Sequence, residues 1–189
     1  MPTLTIALAA ALTLVPLAGL AQGLATDVLK ADIEAVLNSP EGGIDRQIRV
    51  VDIGKLNVAV GVLHRGPTGD SAGPTPAIEH SQVTEVYYVA SGSGTLVTGT
   101  AVVDRQPIAP DAEVVKVAVG PSSRATFEDD GNQVRIISAG DVVVIPAGVF
   151  HGWRDIADHV TYLSIRPDPD RVLPAGYLNP AVQREESAP

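Results

Sequence analysis

The chain is written in short apolar blocks. Val, Ile and Thr recur in brief runs, and 18 Gly and 15 Pro break them up. Turn signals every ~8–12 residues fit many short strands joined by tight turns, as in an all-β sandwich, barrel or jelly roll. The expected strands are Ile44–Ile53, Leu56–Arg65, Thr84–Ala90, Thr95–Val103, Val114–Val119, Val134–Ile137, Val142–Ile145 and Val160–Ile165. Gly54-Lys55, the run Ser91–Gly94 and Gly131-Asn132 read as turns, and 66–76 and 105–111 as irregular. One helix is expected ahead of the strands. Thr26 caps it, and Val28, Leu29, Ile33, Val36 and Leu37 recur at helical spacing before Pro40. No internal repeat is visible, and 189 residues suit one domain.

Composition narrows the chemistry. The chain has no cysteine, which excludes disulfides, zinc–thiolate sites, iron–sulfur clusters and thiol nucleophiles. A metal would have to use His, Asp, Glu or main-chain oxygen. The formal net charge of −9 and the lack of any Lys/Arg run argue against a nucleic-acid partner. Leu4 to Ala21 carries no charge and ends in small residues, Gly19-Leu20-Ala21, so 1–21 reads as a secretory signal cleaved after Ala21. That segment is short for a membrane span and contains Pro16 and Gly19. The expectation is a secreted or periplasmic protein with no stable membrane insertion once the signal is removed. The rest divides into a helix and first strand (22–54), a β-domain (55–166) and a Pro-rich C-terminal tail (167–189).

Two segments carry the chemistry. The first runs from His80 through Glu85, Tyr87 and Val89 to Gly92, and the second from Gly140 through Pro146 and Gly148 to His151 and Asp155. His80 and Glu85, five apart across a strand start, can aim an imidazole and a carboxylate into one cavity. In the second segment Pro146 fixes a corner, Gly148 permits the bend, and His151 projects back toward the interior. Two imidazoles and one carboxylate form a three-donor face. That face suits a divalent transition metal (Fe, Mn, Zn or Ni), with positions open to substrate or water. Tyr87 and Val89 share the inward parity of Glu85, which makes Tyr87 a candidate proton-transfer or orienting group.

The same residues resemble the two motifs of the cupin superfamily. In the second, Gly140, Pro146, Gly148 and His151 match the family spacing, and Asp155 stands where Asn is usual. In the first, His80, Glu85 and Gly92 match, while Ile78 occupies the position of a first metal-binding histidine. The resemblance covers about residues 55–166. It implies a cupin-type antiparallel jelly-roll barrel with a short N-terminal helix and a three-ligand metal site of His80, Glu85 and His151. Gln82 is the other nearby residue with an oxygen to offer.

Two functions follow. One is a metal-dependent enzyme acting on a small oxygen-bearing substrate by oxygenase, isomerase or lyase chemistry. The alternative is a metal-free barrel that binds a small ligand or carbohydrate without turnover. Exposed β-edges also allow a homodimer. Trp153 reads as packing near the mouth, His64 and Arg65 as a rim pair, His159 as exposed, and Asp129–Asn132 as a hairpin turn.

Overall fold

The structure is a computed structural model, and it describes residues 25–40, 43–69 and 73–182. The apolar segment 4–21 with its cleavage site lies outside the described residues, as does the tail beyond 182. Among the described residues, ten antiparallel strands follow one short helix: α1 (Lys30–Leu37), β1 (Asp45–Asp52), β2 (Asn57–Arg65), β3 (Pro76–His80), β4 (Glu85–Gly99), β5 (Val102–Pro107), β6 (Ser122–Phe127), β7 (Gln133–Ser138), β8 (Val142–Ile145), β9 (Phe150–Arg154) and β10 (Val160–Asp168). The main path runs β1-β2-β10-β4-β9-β3-β6-β5, with β7 and β8 also paired to β4.

The long strand β4 organises everything else. Its first half pairs with β10 and β8, and its second half with β9 and β7, so it passes from one layer to the other. The expected turn at Ser91–Gly94 is instead this crossing point; of the expected hairpin partner 95–103, residues 95–99 continue the same strand and Val102 and Val103 open β5. The glycines are needed for close approach, not for reversal. Gly92 has φ 74°, and a Cβ there would sit 1.9 Å from the His159 carbonyl oxygen. A Cβ on Gly94 would press Ile156 at 2.8 Å. The two layers face each other as an open jelly-roll sandwich; the path does not close into a barrel.

Alternation decides which side chains enter the interior. In β4, Glu85, Tyr87 and Val89 are buried between more exposed Val86, Tyr88 and Ala90. In β10, Val160, Tyr162, Ser164, Arg166 and Asp168 are buried on one face. The central core joins Leu63, Tyr87, Val89, Val143, Ile145 and Tyr162 of one layer to Leu96, Ile137 and Trp153 of the other. Helix α1 covers the outer face of the first layer, where Val36 packs on Ile48 and Val62.

Several other expectations are corrected. The helix begins at Lys30, not beside Thr26, because Asp32 accepts from the Leu29 backbone N–H at 3.0 Å and caps the turn there. The run 114–119 is a π-helical turn (Val115–Val119). Its valines favour a strand, but its buried residues, Val115, Ala118 and Val119, fall at helical spacing, and packing prevails over propensity. Of the segment 105–111 read as irregular, 105–107 belong to β5. Strands β3, β6 and β9 were not anticipated. They are short and carry polar residues at buried positions, including Glu79, His80, Ser122 and His151, so their apolar alternation is broken.

Candidate metal centre

Three strand ends and one corner assemble the site. His80 closes β3, opposite Ser122 of β6. Glu85 opens β4, opposite Ile145 of β8. The Pro146–Val149 corner then leads into β9, where His151 pairs with Ile78 of β3. The corner is bonded to the first motif. Gly148, at φ 79°, donates its N–H to the His80 carbonyl at 2.8 Å, and the Ala147 N–H reaches the Thr84 hydroxyl at 3.3 Å. Those bonds seat His151 beside His80 although the two are far apart in sequence.

The result is a tight cluster. His80, Glu85 and His151 are all buried, and each offers a ligand atom within 4.8 Å of the others. His80 Nε2 lies 3.3 Å and His151 Nε2 3.1 Å from Glu85 Oε2. Donors about 2.1 Å from one ion stand roughly 3.0–3.4 Å apart in octahedral or tetrahedral arrangements. Both separations fit.

The outward-facing ring nitrogens fix which atoms point inward. His151 Nδ1 lies 3.2 Å from the Val149 carbonyl. A carbonyl only accepts, so that nitrogen carries the proton and Nε2 of the neutral ring is a lone pair. His80 Nδ1 lies 2.9 Å from Ser122 Oγ, whose own proton goes to the Gly120 carbonyl at 2.9 Å, so His80 is held in the same tautomer. In the neutral rings two lone pairs would converge on a carboxylate oxygen. Such an array is repulsive until a proton or a cation enters it. Fixed Nδ1–H donors behind inward Nε2 atoms are the arrangement metal-binding histidines adopt.

The carboxylate is held ionised from its other side. Ser164 Oγ donates to Glu85 Oε1 at 2.7 Å and Arg166 Nε at 2.9 Å. Burial alone would raise the Glu85 carboxyl. With protons on the two Nε2 atoms, the His80 and Arg166 charges and the bonds from the two histidines overcome it and hold the group well below the usual carboxylate range. Arg166 is itself wholly buried and continues the chain of charge to Gln47 Oε1 at 2.8 Å and to Asp45. Burial disfavours its charge, but Asp45 and Glu85 restore it, and the guanidinium stays protonated. Gly61 makes room for it, since a Cβ there would meet Arg166 Nη1 at 3.0 Å.

Tyr87 lies where strand parity places it, buried with its hydroxyl donating to Glu85 Oε2 at 2.9 Å. Burial and the neighbouring carboxylate push the phenol well above its ordinary range, so it stays a neutral donor. Ile78 lines the site beside His151 without a donor atom, and Gln82 is exposed and outside it. Trp153 packs on Tyr162 with ring centroids 5.4 Å apart. His64 and His159 stack on each other at 5.8 Å, away from the cluster.

Five residues of the network escaped sequence reasoning: Asp45, Gln47, Ser122, Ser164 and Arg166. Arg166 had a readable signal. It is a charge at the inward parity of Tyr162 and Ser164, one residue past the expected strand end. Ser122 had none, because its strand was not anticipated.

Among the described residues the fold is a mostly antiparallel jelly roll with one short helix, and the two motif segments occupy adjoining strand ends. No family model matches the chain, and no curated protein matches it. Among solved structures, an uncharacterized double-stranded β-helix protein from Klebsiella pneumoniae shares 18% identity over 77% of this chain and 93% of its own, with a TM-score of 0.42. The Bacillus halodurans protein BH2720 shares 14% over 82% and 89%, with a TM-score of 0.45. The DMSP lyase DddQ from Ruegeria pomeroyi shares 16% over 70% and 53%, with a TM-score of 0.36. Similarities this distant leave the site's chemistry to be read from the chain's own residues.

Proposed function

We propose that the chain is a metal-dependent enzyme acting on a small oxygen-bearing substrate, with a divalent transition metal held by His80, Glu85 and His151. The observation that carries this reading is the convergence of both Nε2 atoms on the ionised Glu85, with both Nδ1 atoms anchored outward. When bound, the metal supplies Lewis-acid activation of a substrate oxygen, and a three-donor set leaves it positions for that oxygen.

The protein residues have distinct tasks. Arg166 and Ser164 keep Glu85 ionised and fixed. Ser122 and the Val149 carbonyl set the two rings. Tyr87 orients Glu85 and holds a proton beside the reacting region. Tyr162 and Trp153 wall the site with aromatic surface and exclude water. Ile78 adds no fourth ligand, which keeps the face open. The leader-like segment ending at Ala21 supports action outside the cytoplasm.

Metal content tests the reading, measured after purification without a metal-binding tag and after incubation with Fe(II), Mn(II), Zn(II) or Ni(II). About one equivalent should bind, and His151→Ala should lose it. Less than about a tenth of an equivalent with every metal would overturn the proposal.

A further inference from the structure

Building on that metal reading, we propose that the cleft beside His151 binds a short carboxylic acid, its acid group clamped by Arg65 and the Trp153 indole N–H while its far oxygen function faces the metal centre. The cleft has a volume of about 600 Å³, and its lining includes Arg65, Ile78, Arg124, His151, Trp153 and Arg154. That volume suits a small molecule.

Charge is the first argument. The chain carries a net −9, yet three arginines line this one cleft. Its acid, Asp45, is already paired with Arg166. Arg154 has Asp155 at 3.3 Å, but among the described residues no carboxylate lies within ion-pair distance of Arg65 or Arg124. A local cationic wall in an acidic protein selects an anion.

Unmet donors are the second. Trp153 is 5% exposed, and its indole nitrogen has no hydrogen-bond partner. A buried donor left unmade costs about 1–3 kcal/mol, so native interiors rarely keep one idle. Arg65 is held by its Nε, which donates to the Tyr162 hydroxyl at 3.1 Å. That bond fixes the guanidinium plane and leaves its terminal amines without a partner among the described residues. A planar fork of this kind matches a carboxylate by two parallel bonds.

Position is the third. Tyr162 holds Arg65 by its hydroxyl, stacks on Trp153, and packs on Tyr87 with centroids 4.5 Å apart. Tyr87 in turn bonds the candidate ligand Glu85. Trp153 and His151 are two residues apart on one strand, about 6.7 Å, which is the reach of a short acid with a second oxygen function.

The chain's one tryptophan makes the test direct. Trp153 emission is followed during titration with 3-hydroxybutyrate and succinate, with their neutral partners 1,3-butanediol and succinamide, and with inorganic phosphate. Wild-type protein is used both chelator-treated and Zn(II)-supplemented. The acids should give a saturable change, with affinity at least about tenfold above the neutral molecules and above phosphate. Arg65→Gln should weaken the acids by about tenfold or more, and Arg171→Gln, at a distant exposed pair with Asp52, should not. No saturable change, equal response to the neutral partners, tighter phosphate binding, or an unaffected Arg65→Gln would each overturn the proposal. If Arg65→Gln fails to fold, the acid-against-neutral comparison on wild-type protein decides. Zinc bound without acid binding removes the clamp and keeps the metal reading; acid binding without zinc does the reverse.

Discussion

The interior has two ends built from opposite materials. Around Leu96, Ile137, Val143, Ile156 and Val160 it is apolar. Around Glu85 it holds two imidazoles, a carboxylate, a wholly buried guanidinium, a serine and a glutamine, linked from His80 and His151 through Glu85 and Arg166 to Gln47 and Asp45. The apolar end removes hydrophobic surface from water and drives folding. The charged end does not repay its own desolvation, and well-packed apolar residues in such places are often as stable or more so. Under the proposed metal reading, the row across the inner face, with a glycine at 61 to make room for it, is kept for chemistry. Stability and function are thus separated in space, and substitutions at each end should move different observables.

The largest effect is expected from Arg166→Met. It leaves Glu85 buried without its cation, at a cost of about 3–5 kcal/mol. Adding Glu85→Gln removes the stranded charge, so the double variant should be more stable than Arg166→Met alone. Urea denaturation of the four proteins of that cycle measures the coupling. A single-variant loss below about 1 kcal/mol, or a double variant less stable than the single, would show that the row is not one electrostatic unit.

Legibility in the sequence divides strand by strand, by whether the alternation is intact. Strands β2, β4 and β10 were readable because their apolar residues alternate, and the motif residues His80, Glu85 and His151, with Tyr87, meet where spacing and parity place them. Strands β3, β6 and β9 were not readable, because His80, Ser122 and His151 interrupt the alternation by which strands are recognised. The run Ser91–Gly94 misled for another reason. Two glycines that signal a reversal also permit close packing, and only the 156–159 segment pressed against Gly92 and Gly94 decides between the two. Arg166 was hidden by distance, since its partners Asp45 and Glu85 lie in strands far from it in sequence.

At the apolar end, Leu96→Ala should cost about 2–5 kcal/mol by cavity formation. Metal content at saturating concentration should stay near one equivalent, because Leu96 touches none of the three donors' anchoring bonds. A folded Leu96→Ala protein that lost its metal would break the separation, by showing that the centre depends on core packing as a whole.

The smallest effect is also the most discriminating. Ser122 anchors a candidate ligand without being one. It takes the His80 Nδ1 proton as a hydrogen bond and passes its own to Gly120. Ser122→Ala removes one link, so stability should fall by only about 1 kcal/mol. Metal affinity should fall about 10–100-fold, since a ligand whose outer nitrogen is unanchored loses both ring orientation and basicity. Competitive titration against a chelator of known affinity measures the second quantity and urea denaturation the first. A stability loss of about 3 kcal/mol or more with unchanged affinity would place Ser122 with the core. The expected pair of results would place it with the chemistry, although its hydroxyl never contacts the ion.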